Sequence, residues 1–423
     1  MRRWLFRARL AVTEPTTMAV DALRTHPGRT ALAVAGIVIG IVTVVLVASV
    51  LTNVRNQVAL LFRELGTDNI FAFHLTGDPY EPPSENEARR KPLNVSYAPA
   101  LARLGRSIRE VAVQIIVPAA ANGQPLSARA GQNTSDTVLL EGASANFLEV
   151  VGAEFSAGRP FTDLEDREGA RVAVVGASLA RSLFGSEPAV GQAITAGGER
   201  YLVVGELAKR RGGFFGENRQ DSVMTIPAGT ARRRFGEPER VVLYVRAQPG
   251  QRREAYAETE TALRRLRQLG PLDDNDFSLS TADQIIATFD QISAQIGLAT
   301  LALAGVSLFI GAIGIANVML ISVTERTREI GVRLAIGARR RQILLQFLLE
   351  AAFLSTVGGT AGVALALLIG LLIAAFASGF SAVAPAWAIL AGVAMSLLVG
   401  IGAGLWPARR AASLDPIEAL RYE

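Results

Sequence analysis

The sequence predicts a membrane protein: four transmembrane α-helices, with a large mixed α/β extracytoplasmic domain inserted between helices 1 and 2. Three observations carry this. Half of the 423 residues are hydrophobic and the mean hydropathy is positive, too apolar for an ordinary soluble chain. Three long runs carry no charge: Thr30–Val54, Gln291–Thr324 and Ala351–Ala408. A helix needs about 20 apolar residues to cross a bilayer core, so the third run holds two spans. Residues 55–290, between the first two runs, alternate short Val- and Ile-rich segments with charged helical ones, as a folded aqueous domain does.

Each element follows in chain order. Residues 1–29 are a cytoplasmic segment in which Thr13–Thr25 reads as a short amphipathic helix, with Met18, Ala22 and Leu23 on one side. His26-Pro27-Gly28 breaks it before the first span, 30–52. That span is longer than a signal-peptide core and lacks a convincing cleavage site after it. The extracytoplasmic domain takes 53–290. The second span is 295–322, a cytoplasmic connection 323–345, the third span 346–376 and the fourth 386–406, with a turn at Ser378–Pro385. Residues 407–423 form a cytoplasmic tail.

Arginine placement sets the orientation. Arg2, Arg3, Arg7, Arg9, Arg24 and Arg29 precede the first span, six arginines fall in Glu325–Arg341, and Arg409, Arg410 and Arg421 follow the last span. Those segments belong in the cytoplasm, and both termini with them. The net charge of +5 then divides into +7 for the cytoplasmic segments with Glu350 and −2 for 55–290. The basic balance is topological and leaves no footprint for nucleic acid.

The inventory excludes most enzyme chemistry. Cysteine is absent, which removes disulfides, thiolate metal sites and cysteine nucleophiles. His26 and His74 are the only histidines and fall on opposite sides of the membrane, so neither a His-based triad nor a zinc site is expected. Gly176–Ala180 lacks the second glycine of a G-x-S-x-G elbow. No catalytic residue and no metal ligand is assigned.

In 55–290 the strand signals are Ile70–Thr76, Val111–Pro118, Thr137–Glu141, Arg171–Val175, Tyr201–Glu206, Ser222–Ile226, Arg240–Arg246 and Phe277–Thr281. Gln251–Gln268 is the clearest helix. Tyr256, Thr259, Leu263 and Leu266 share one face, and Glu260 pairs with Arg264. Asp78–Asn94 reads as a flexible excursion.

The stretch ERTREIGVRLAIGARRR, Glu325–Arg341, needs more than the positive-inside rule. Glu325 with Arg328 and Glu329 with Arg333 have helical pair spacing, which would continue the second span as a stiff stalk. Gly331 and Gly337 punctuate it. Ile330, Val332, Leu334 and Ile336 offer apolar contacts that a solvated loop does not need. Glu350, one charge near the start of the third span, either sits at the interface paired with an arginine or takes part in coupling. Gly36 and Gly40 make a small-xxx-small pair for close helix approach, as do Gly358 with Gly362 and Gly400 with Gly404. No proton relay or ring of charges can be assembled in the spans, where Asn317 is the most polar central side chain.

Five segments together carry a family resemblance. TERTREIGVRLAIGA (Thr324–Ala338) resembles the cytoplasmic hallmark of ABC-transporter permeases of the macrolide-exporter MacB/FtsX type. MAVDALRTHPGRTALAVAGIVIG (Met18–Gly40) resembles that family's entry into its first span. LLEGASANFLEVVGAEFSAGRPFTDLEDREGARVAVVGASLARSLFG (Leu139–Gly185) and VGQAITAGGERYLVVGELAKRRGGFFGENRQDSVMTIP (Val190–Pro227) resemble its extracytoplasmic core. WPARRAASLDPIEALRYE (Trp406–Glu423) resembles its ending.

The resemblance implies a bacterial cytoplasmic (inner) membrane protein that pairs as a homodimer or close heterodimer, with the first two spans at the seam. It implies a porter-like part at 55–137 and 221–285, and a Sabre-like insertion at 138–220. It makes Glu325, Arg326, Arg328 and Glu329, with Ile330 through Ala335 (Ile330, Gly331, Val332, Arg333, Leu334, Ala335) and Ile336, Gly337 and Ala338, a coupling helix for an ATPase. No G-x-x-x-x-G-K-[ST] occurs, and Lys91 and Lys209 are the only lysines, both expected outside. ATP and Mg are therefore expected on a separate ABC ATPase subunit, with no cofactor bound by this chain. Arg210, Arg211, Phe214 and Phe215, in the basic Lys209–Arg219 loop, are either a solvated tip or a contact for a periplasmic partner. A membrane-fusion protein with an outer-membrane channel is one such partner.

Two functions fit this reading. One is export of an amphipathic substrate, lipoprotein or peptide, driven by mechanotransmission from the ATPase to the outer domain. The other is an FtsX-like regulator that activates an extracytoplasmic cell-wall hydrolase without transport.

Overall fold

The computed structural model describes residues 27–64, 68–75, 85, 87, 90–118, 120–121, 124–136, 138–210, 219–376 and 384–421. The expectations for Thr13–Thr25, for Arg211, Phe214 and Phe215, and for most of Asp78–Asn94 and Ser378–Pro385 lie outside these residues. Contacts divide the chain into Arg55–Phe289 and a second unit made of Met1–Val54 with Asp290–Glu423.

In chain order, α1 (Pro27–Glu64) precedes β1 (Asn69–Phe73), α2 (Tyr97–Leu104) and β2 (Ile108–Ile116). A small hairpin, β3 (Ala120–Ala121) with β4 (Gln124–Pro125), and the short strands β5 (Ala128–Ala130) and β6 (Asn133–Ser135) come next. Then follow β7 (Leu139–Ala143), α3 (Phe147–Val150), β8 (Phe155–Gly158), α4 (Asp163–Glu168), β9 (Val172–Val175) and α5 (Ala177–Phe184). The domain continues through β10 (Ala193–Ala196), β11 (Glu199–Leu207), β12 (Val223–Pro227), α6 (Ala228–Phe235), β13 (Val241–Ala247), α7 (Arg252–Leu266) and β14 (Ser278–Thr281).

One sheet of twelve strands organises this unit, in the order β14-β1-β13-β2-β7-β12-β9-β11-β10-β5-β6, with β8 on β11. Strands from both flanks of the sequence make one end, and strands from 128–207 make the other. β12 joins them, running parallel to β7 and antiparallel to β9. The interior strand β13 is VVLYVRA, buried on both faces, and so reads as a continuous apolar run rather than an alternation. Leu243 and Val245 enter one core with Leu101, Leu179 and Leu263. Val242 and Tyr244 enter the other with Phe147 and Phe161. All eight expected strands are present. β3, β4, β5, β6, β8 and β10 are additions. In α7, Glu260 and Arg264 both turn to Asn275, at 2.8 and 2.5 Å, because that side chain offers each a hydrogen bond. The expected direct pair gives way to this bridge.

Among the described residues, the second unit contains four helices long and apolar enough to cross a membrane: α1, α8 (Ala282–Glu325), α10 (Arg340–Phe376) and α11 (Ala386–Ala412). Two short helices accompany them, α9 (Thr327–Ala335) and α12 (Pro416–Arg421). α8 opens on a capping box: Thr281 N–H donates to Gln284 Oε1, and Gln284 N–H to Thr281 Oγ1. Ile37, Ile41, Met319, Phe347 and Ala408 centre its core.

Glycine sets helix spacing here. A Cβ on Gly36 would stand 2.9 Å from the Gly311 backbone nitrogen, and one on Gly40 3.0 Å from Leu308 Cγ. The Gly36/Gly40 stripe is thus filled by this chain's own second span. Gly400 meets the Ser355 hydroxyl, and Gly362 lies against Ile41. Small-residue faces let these helices approach to backbone contact.

Candidate functional site

The basic stretch 325–341 folds around α9. α8 ends at Glu325, and Arg326 leaves helical geometry with φ −104° and ψ 15°. Two threonines explain the break. Thr324 Oγ1 donates to the Ile321 carbonyl, and Thr327 Oγ1 lies 2.9 Å from the carbonyls of both Val323 and Thr324. Such back-bonding competes with the helix ladder. The stalk therefore does not run straight through Arg328, and Glu325 and Arg328 fall on opposite sides of a hinge.

The second expected pair does form, with Arg333 Nη2 at 2.5 Å from Glu329 Oε1. Gly337, at φ +97°, ends α9. Its N–H donates to Leu334 O, and Ala338 N–H to Arg333 O, the double closure of a Schellman cap. Gly331 does not punctuate the helix. It sits inside α9, where a Cβ would stand 2.6 Å from the Cβ of Ala419 on α12.

This packing sorts the apolar residues. Ile330 is buried, and Leu334 is half-buried against the core of the membrane unit. Val332 is 45% exposed and Ile336 is 81% exposed. Arg328, Ala335 and Arg339–Arg341 are also exposed. Ile330 and Leu334 thus hold α9 in place, while Val332 and Ile336, one turn apart, form an apolar stripe among arginines. Beside it α12 exposes Ile417 and Leu420.

Side-chain contacts of two arginines tie this region to α10. Arg333 Nη1 donates to Gln346 Oε1 at 2.8 Å. Arg326 Nη1 lies 3.6 Å from Oε1 of Glu350, whose side chain is fully buried. Sequence reasoning missed α12 as a packing partner of α9. Its signal is Asp415-Pro416: an N-cap aspartate, accepting from Ile417 N–H at 2.8 Å, followed by proline in the first turn.

In the other unit, Arg210 is half-buried and its N–H donates to Asp221 at 3.1 Å. It lines a small cavity with Gln114, Glu141 and Tyr244. Thr225 Oγ1 donates to Glu141 at 2.7 Å, Gln114 also donates to Glu141, and Tyr244 OH donates to Gln114 at 2.9 Å. Burial, and then the Glu141 charge, push the Tyr244 phenol above its ordinary value, so it holds its proton. Among the described residues no group of three or more His, Asp or Glu is placed to hold a metal ion.

Two family descriptions match the chain: a MacB-like periplasmic core domain over residues 30–262 and an FtsX-like permease C-terminal region over 301–416. Macrolide export ATP-binding/permease protein MacB 2 of Aeromonas hydrophila is 35% identical over 413 residues, 97% of this chain and 61% of that one. Pyoverdine export ATP-binding/permease protein PvdT of Pseudomonas fluorescens is 36% identical over 402 residues, 93% of this chain and 57% of that one. The chain thus spans less than two thirds of the length of these relatives. Among solved structures, the periplasmic region of MacB from Actinobacillus actinomycetemcomitans aligns over 54% of this chain and 95% of its own, at 17% identity and TM-score 0.43. The match to the core-domain description covers more than half of the chain. The chain belongs to the MacB/FtsX-type family of ABC-transporter permeases.

Proposed function

We propose that this chain is the permease of an ABC exporter in a bacterial inner membrane. In this reading α9 docks on a separate ATP-binding subunit, and movements driven by ATP pass through the spans to the 55–289 unit. That unit then moves an amphipathic substrate, lipoprotein or peptide outside the lipid core. The permease works as a pair, with both termini in the cytoplasm. The names of the relatives, export ATP-binding/permease proteins, support the reading. So does the scarcity of charge within the spans, which leaves no polar path for a hydrophilic solute.

One observation carries the docking step. α9 is capped and anchored by its own chain, yet keeps Val332 and Ile336 exposed on the outer stripe. Large apolar side chains held out by a rigid element mark contact surfaces. Val332→Asp and Ile336→Asp place a charge in that contact and leave the core untouched. Each is expected to weaken retention of the ATP-binding subunit by roughly tenfold or more, about 1.4 kcal/mol, with thermal unfolding of the permease unchanged. Binding of the ATP-binding subunit by purified permease in nanodiscs measures this. Equal binding by wild type and both variants would refute the docking step. Leu334→Asp is a poorer probe, because Leu334 supports the fold.

A further inference from the structure

We infer that Arg326 and Glu350 are a positioning pair that sets the angle of α9 on α10. The inference rests on the docking reading for its functional meaning and on local geometry for its substance. Because α8 ends at Glu325, continuity of the stalk does not orient α9. Side-chain contacts must: Ile330 and Leu334 seat its inner face, and polar contacts to α10 add to them.

The observations point to two rungs. Arg326 and Arg333 are seven residues apart, on one side of α9 and its entry. Their partners, Glu350 and Gln346, are four residues apart, on one side of α10. A helix attached at one point pivots about it; a second attachment leaves only rotation about the line joining the two. The rung at Gln346 is a hydrogen bond from a guanidinium to an uncharged amide oxygen, at 2.8 Å. The rung at Glu350 differs in kind. Its carboxylate is fully buried, and among the described residues neither oxygen accepts a hydrogen bond, nor does Arg326 Nη1 donate one. The 3.6 Å charge contact with Arg326 is its compensation.

A buried ion pair of this kind is a poor source of net stability, since desolvation offsets the attraction. Apolar or neutral side chains would fill the site as well. What the pair adds is a charge contact at the entry to α9 that draws Arg326 toward α10. Gly331 against Ala419 then closes the third side of α9.

The chain is free of cysteine, so introduced cysteines can be labelled uniquely. Spin labels at Ile336→Cys and Leu365→Cys, both exposed positions, report the angle between α9 and α10 in the full chain in nanodiscs. Wild type is expected to give a single narrow distance distribution. Glu350→Gln, and the double variant Arg326→Gln/Glu350→Gln, are expected to lose it. Thermal unfolding of the double variant is expected to match wild type or exceed it, because both buried charges are gone. A merely structural pair predicts the opposite for the distances: removing both charges together would restore the wild-type distribution. A wild-type distribution in either Glu350→Gln or the double variant overturns the inference. The measurement needs no ATP-binding subunit, so it is independent of docking. If Val332→Asp and Ile336→Asp bind that subunit like wild type while the distances still broaden, docking fails and the positioning pair stands.

Discussion

His74 is buried beside guanidinium groups, and that setting decides its charge. Burial, reinforced by Arg267, Arg240 and Arg90, lowers its pKa from 6.5 to about 4. The folded state therefore keeps a neutral ring at pH values where the unfolded chain takes a proton. As pH falls below 6.5 the unfolded state binds more protons, and stability drops until about pH 4, where both states are charged. A shift of that size corresponds to on the order of 3 kcal/mol at most, and about 2–4 °C per kcal/mol in a domain of this size. The unfolding midpoint of the 55–289 unit is expected to fall between pH 6.5 and 4, and His74→Gln is expected to flatten that slope. Calorimetry across this window checks it. Glu165 acts in the same direction at lower pH. The Arg159 guanidinium, together with the Thr162 N–H and hydroxyl, lowers it to about 2, so its contribution is present above pH 4.5 and lost on the way down to 2. The sequence identified His74 only as an isolated histidine. Its neighbours come from 90, 240 and 267, and only folding brings them together.

At the scale of elements, legibility followed length and apolar content. β2, β11 and β13 are long and rich in Val and Ile, and their signals coincide with the strands. β8, FSAG, and β10, AITA, are short and small-sided, and pairing with β11 rather than their own propensity makes them strands. The motif in α9 was legible as a helix with apolar residues, but not which of them face out. That is set by α12, which sequence periodicity could not place. Gly331 is the test of that pairing. In an open helix interior, Gly→Ala gains about 0.5–1 kcal/mol. Here even a methyl group meets Ala419 at 2.6 Å. Gly331→Leu is expected to push α12 away and speed hydrogen exchange of the Ile417–Leu420 amides by roughly tenfold or more. Unchanged protection in 416–421 would mean that α12 is held by other contacts.

At the scale of the molecule, the chain divides into two units with separate cores, and the 55–289 unit has the features of an autonomous domain. Both of its chain ends are tied into the sheet. β1 pairs with β14, Ile70 opposite Thr281, and β1 also pairs with β13 on its other side. Cutting the chain outside these strands removes no ladder. It also leaves no broken disulfide, since the chain has no cysteine, and the unit is large enough to bury a core without staples. Residues 55–289 expressed alone are expected to be soluble and to unfold in one cooperative transition, with a midpoint within a few degrees of the corresponding transition in the full chain. Aggregation, or a midpoint far below that of the full chain, would show that the membrane unit supports the sheet. The result bears on mechanism. A domain that keeps its fold without the spans can be displaced as a body, as export by transmitted movement requires. Differential scanning calorimetry of the fragment and of the full chain, in one buffer, compares the two midpoints.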